Sequence, residues 1–119
     1  MREYNKIDEY IILELKKFKF NTTSLGFKYI KYAIKKGIQN EALLENFNQK
    51  LYKEMQIELK IKRDKIKWNI EKSINYMYLN TDMEKLINYF ALEINQKITP
   101  KLFIVTLVEN YYIFKQNEN

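Results

Sequence analysis

Between Lys60 and Lys72 the chain gathers six basic residues, Lys60, Lys62, Arg63, Lys65, Lys67 and Lys72, against two acids, Asp64 and Glu71. That local excess of positive charge sits in a chain whose total is only +6. Cations at this density neutralise phosphates and release their condensed counterions, which favours binding to any duplex regardless of sequence. The same segment holds the only tryptophan, Trp68, and Asn75 follows it closely. An indole stacks on a base or sugar, or fills a partner's pocket. An asparagine amide can pair with adenine, and Glu71 could accept from a cytosine amino group.

Other chemistries lack their parts. With no histidine and no cysteine, a catalytic triad, a zinc site and a disulfide frame lose their usual components together. Acidic pairs such as Asp8-Glu9 fall on a surface helix and form no concave carboxylate cluster, so no enzyme, metal or cofactor is expected. The opening Met1-Arg2-Glu3-Tyr4-Asn5-Lys6 is too polar to begin a signal peptide. The longest apolar runs, such as Leu102 to Val108, fall far short of a membrane span. The expectation is a cytoplasmic protein with no membrane partner.

The elements that must position the basic cluster read as helices nearly throughout. One proline and two glycines leave little to break them. A hydrophobic content of 46% with 15% aromatics suffices for one domain over residues 1–119, burying roughly two-thirds of its unfolded surface. Ile7, Ile11, Leu15 and Phe18 give a first stripe, and Asn21-Thr22-Thr23-Ser24 a break and N-cap. Phe27, Ile30, Ala33, Ile34 and Ile38 mark a second helix, stopped near Gly37 and Asn40. Leu43, Leu44, Phe47 and Leu51 predict a third; Tyr52, Met55 and Leu59 a fourth. Ile66, Ile70, Ser73, Ile74 and Met77 form the core face of a fifth. Thr81 or Asp82 caps a sixth, with Met83, Leu86, Ile87 and Phe90 inward. Thr99 with Pro100 starts the last, carrying Phe103, Leu107 and Val108. Its β-branched content would also suit a strand, but no partner strand is evident. The fold class is therefore all-α, a compact domain of about six to seven helices with a helix-turn-helix at about residues 52–78.

The stretch Gly26-Phe27-Lys28-Tyr29-Ile30-Lys31-Tyr32-Ala33-Ile34 is similar to a G-[YF]-x-Y-[LI]-x-x-A-I signature, and through it the chain resembles the C-terminal effector domain of the sporulation-initiation response regulator, stage-zero sporulation protein A. Leu43-Leu44, Leu51-Tyr52 and the Ile66, Ile70, Ile74 series keep that family's spacing without a gap. Met83 to Phe90 looks like its following helix, and Thr99 to Glu109 like its last. The resemblance implies an all-helical domain that binds short promoter boxes and regulates transcription. Two departures stand out. The family's effector normally follows a phosphoacceptor receiver domain, for which this chain has no room. In addition, the family's recognition helix carries V-E-R-A-I-R-H-A-I, whose acid and two arginines are the readers. Here Lys67 replaces the acid, Trp68 the first arginine and Glu71 the second, so the target is expected to differ.

At about 100° per residue from Ile66, Asp64, Trp68, Glu71, Lys72 and Asn75 lie opposite the core face. Trp68 outside is either an anchor for DNA or a partner, or packs on another helix or the N-terminal arm. Glu71 either reads a base or bonds Lys67 or Asn75 within the helix. The turn is irregular: Gln56 stands where a small residue is usual, and Lys60-Ile61-Lys62 has no glycine, so Asp64 could cap a shortened helix. The candidate DNA-binding set is Lys62, Arg63, Lys65, Lys67, Trp68, Glu71, Lys72 and Asn75, acting on promoter DNA with altered specificity. The alternative is a protein-interaction module that antagonises or partners a full-length regulator, or forms a homodimer, through the Trp68 face. A basic surface on anionic membrane is a third reading, disfavoured because its lysines spread over several helices.

Overall fold

Ser24 accepts a hydrogen bond from the Phe27 N–H and starts the helix on which the rest is built. In the computed structural model, which describes the backbone of residues 2–117 and side chains of residues 6–117, six α-helices follow in order. They are α1 (Arg2–Leu15), α2 (Leu25–Gln39), α3 (Tyr52–Leu59), α4 (Arg63–Asn80), α5 (Met83–Phe90) and α6 (Pro100–Asn117). Most of the N-terminal segment read as too polar for a signal peptide lies outside the described side chains. No helix among the described residues is long and apolar enough to cross a membrane.

The α2 stripe turns Ile30, Ala33 and Ile34 fully inward, against α4 on one side and α6 on the other. The β-branched run in α6 is helical, and it buries Phe103, Ile104, Leu107 and Val108. Thr99 supports its first turn by accepting from the Leu102 N–H. Two phenols, Tyr10 buried and Tyr89 half-buried, tie distant elements: Tyr10 donates to the Leu107 carbonyl at 2.6 Å, and Tyr89 to the Glu14 carboxylate at 2.6 Å. Burial, with Glu14 beside them, pushes both hydroxyls well above the usual tyrosine range.

Four local expectations are corrected. The segment 41–51 is not one α-helix but a 3₁₀ turn (Glu41–Glu45) and a π turn (Phe47–Leu51). Asn40 and Asn46 each break the chain in extended conformation, and each side chain caps the turn that follows. Phe18 lies beyond the end of α1, yet is buried among Phe20, Tyr89, Phe90 and Phe103. Met83 and Ile87 face outward, 43% and 41% exposed. Only Leu86 and Phe90 of the short α5 are buried, because a helix of two turns at the rim presents too narrow a face to bury four side chains. Finally, Asp64 is not the cap: α4 begins at Arg63, with Lys62 at the N-cap and no side-chain bond there.

Candidate nucleic-acid interface

The irregular turn closes without glycine. Lys60 takes the left-handed conformation (φ 58°, ψ 43°), and its N–H donates to the Gln56 carbonyl. That geometry costs a non-glycine residue about 1–2 kcal/mol. It ends α3 and lets Ile61 and Lys62 lead directly into α4.

Two sets of contacts fix this helix pair on α2. Gly26 packs so closely on α4 that an added Cβ would lie 2.1 Å from the Asn69 carbonyl oxygen and 2.6 Å from the Ser73 Cβ. On the same helix, Lys36 bridges Glu54 at 2.8 Å and Glu58 at 2.9 Å, both on α3. The Tyr32 hydroxyl also donates to Glu58. Burial alone would lower the Lys36 pKa, but the two carboxylates outweigh it and the net shift is upward. Glu58 is held below the usual carboxylate range by the bonds from Tyr32 and Lys36. Thus α2 clamps α3 through charge and α4 through close packing.

With α4 held there, Ile66, Ile70, Ser73, Ile74 and Met77 are buried. Lys62, Lys65, Lys67, Trp68, Glu71, Lys72 and Asn75 are exposed. Trp68 is 58% exposed, which removes the reading in which it packs on another helix. The Lys72 ammonium lies 4.8 Å from the centre of its ring, a cation–π contact on an open surface. Arg63 is set apart from the other cations: half-buried, it donates to the Asn48 carbonyl at 3.4 Å and links the start of α4 to the π turn. Among the described residues no hydrogen bond joins Glu71 to Lys67 or Asn75. Its charge instead lies near Tyr52, whose hydroxyl is raised above its usual range first by burial and then by Glu71. Asn69 is unsuited to reading adenine, because its amide already donates to the Lys65 carbonyl at 2.8 Å.

One neighbour was invisible in the sequence. A cleft of about 240 Å³ runs between α4 and the start of α6, and Lys97 shares it with Glu71 and Asn75. Lys97 is exposed on a loop without periodicity, so no pattern marked it. Burial of Leu92 and Ile98 anchors that loop on either side.

The surface as a whole is a helix of cations around an exposed indole, seated on α2 by close packing at Gly26. Such a surface can lie against phosphates while offering side chains to a groove. Among the described residues, no group of three or more acids gathers to hold a metal. A family model described as "Sporulation initiation factor Spo0A C terminal" matches residues 11–110, and that family consists of DNA-binding effector domains. The search of curated proteins finds no match.

Proposed function

We propose a role that starts from family membership: the chain belongs to the Spo0A C-terminal domains. It binds duplex DNA as a transcription regulator, with α4 in the major groove and a target different from the family's usual box. The observation that carries the reading is the outer face of α4, where Lys65, Lys67, Trp68 and Lys72 are all exposed over a buried isoleucine row. Lys62, Arg63, Lys65 and Lys67 lie at the turn and first helical turns, where recognition helices meet phosphate and base edges. Trp68 stands where the family carries an arginine. An indole offers one donor and no charge, so the bidentate guanine contact is lost and stacking takes its place. Asn75 and Glu71 are the remaining polar readers.

The runner-up is a protein-interaction module using the same face, as a homodimer or against a full-length regulator. One observation favours it: Leu79 is 71% and Tyr76 47% exposed on the same helix as Trp68, an apolar surface for which phosphate offers no use. Selection of random duplexes by the pure protein at two salt concentrations, repeated with Trp68→Ala, separates the readings. DNA binding through this face predicts enrichment of a sequence and a loss of about 1–3 kcal/mol of affinity in the variant. The interaction module predicts unchanged DNA affinity and loss of self- or partner association.

A further inference from the structure

The exposed side of α2 carries a second basic surface, unrelated to the recognition helix. Two clefts between α1 and α2, of about 340 and 420 Å³, share Ile12 and Lys31 and so form one open groove. Its floor is apolar: Ile12 is 48% exposed at the junction, and Phe27 lines one end. Its rim is cationic. Lys16, Lys28, Lys31 and Lys35 border it, with Asp8 as the acid, and Asp8 pairs with Lys35 at 3.0 Å. Lys31 lies 5.1 Å from the centre of the Phe27 ring, which places an ammonium directly beside the apolar floor.

At about 100° per residue, Lys28 and Lys35 lie on the side of α2 opposite Gly26, which is pressed against α4. The groove therefore faces away from the candidate DNA surface. From Asp8 to Lys16 it follows about two turns of α1, roughly 12 Å. The half-exposed Ile12 and half-buried Phe27 leave a partner apolar surface to cover on the floor. The lysine rim selects against a basic or neutral occupant.

The geometry points to an acidic amphipathic helix of a protein partner, seated in the α1–α2 groove. Its apolar stripe, spaced i, i+3, i+4, i+7, would cover Ile12 and Phe27 while its carboxylates meet Lys16, Lys28 and Lys31. An open groove suits a helix laid along it better than an acyl chain, which would remain half in water. Seated there, a partner could bind while α4 holds DNA.

The test titrates the full chain, observed by amide NMR, with a designed peptide of about 18 residues, long enough to be helical. The peptide carries leucines at that spacing and glutamates elsewhere; a control has lysines in place of the glutamates. The expected result is saturable shifts confined to α1 and α2 for the acidic peptide and none for the control. Lys28→Gln with Lys31→Gln should weaken binding about tenfold, as should Ile12→Ser, whose half-exposed site tolerates the change. The lysine variant should keep its affinity for duplex DNA within about threefold, since distant surface charges are screened. Equal binding of both peptides, shifts centred on α4, displacement of the peptide by equimolar dodecanoate, or no binding at millimolar peptide would each overturn the proposal. So would a large loss of DNA affinity in the lysine variant.

Discussion

Gly26 and Asn69 hold the backbones of α2 and α4 in direct contact, with room at Gly26 for a hydrogen and not for a methyl group. A Cβ there would lie 2.1 Å from the Asn69 carbonyl oxygen, and a backbone atom cannot rotate away. Gly26→Ala should therefore cost about 3 kcal/mol or more, the upper range for overpacking, and should displace α4 and weaken DNA binding with it. Gly37 provides the contrast. Its Cβ would meet side-chain ends, Leu44 Cδ2 and Val108 Cγ2, each at 3.0 Å, and alanine gains about 1 kcal/mol of helix propensity. Gly37→Ala should change stability by less than about 1 kcal/mol. Denaturant unfolding of both variants checks the pair, and equal losses would refute the close α2–α4 contact.

Ser73 sits in the same interface with its hydroxyl buried and, among the described residues, without a hydrogen-bond partner. An unsatisfied buried hydroxyl costs about 1–3 kcal/mol. Alanine keeps the small volume that Gly26 requires. Ser73→Ala should stabilise the protein by about 1 kcal/mol, read as a higher denaturation midpoint. A lower midpoint would mean that the hydroxyl has a partner.

The α2–α3 clamp should be sensitive to acid. The folded-state pKa of Glu58 is depressed, first by the bond from Tyr32 and then by that from Lys36. A depressed carboxylate contributes stability above its ordinary value of 4.5, and that contribution is lost as pH falls through the folded value. Glu58→Gln should thus lower Tm at pH 7, and the gap should close as the pH drops below 4.5. The group is largely exposed, so the effect is modest. A gap that widens in acid would reverse the assignment.

The helical phase around Ile66 was legible in the sequence because α4 packs on one side only. Ile66, Ile70, Ile74 and Met77 fell inward and Trp68 outward by spacing alone. Ser24 and Pro100 likewise announced helix starts by their type. The segment 41–51 misled because Leu43, Phe47 and Leu51 repeat every four residues, a spacing that consecutive 3₁₀ and π turns also produce. The signal that would have found the break was asparagine at 40 and again at 46, each a cap. Gly26 was visible only as part of a motif, and its packing role depends on which helix crosses it. Lys97 was hidden because its place beside Glu71 is set by a loop, where no period operates.

Lys97 carries its own prediction. If DNA lies along α4, the cleft shared with Glu71 and Asn75 places this lysine near the phosphate backbone. Lys97→Ala should weaken binding to all duplexes alike and reduce the salt slope by about 1. An unchanged slope would show that the DNA path leaves the helix before reaching the loop.

The proposed binding of duplex DNA by the cations on and beside the outer face of α4 is measured most directly by its salt dependence. With about four phosphate contacts, from Lys62, Lys65 and Lys67 and from Lys97 on the neighbouring loop, log K should fall against log salt with a slope of roughly −3 to −4. Changing all four to alanine should abolish the slope. Absence of binding to any duplex at about 50 mM salt, where phosphate contacts are strongest, would contradict the account and leave the face around Trp68 to a protein partner.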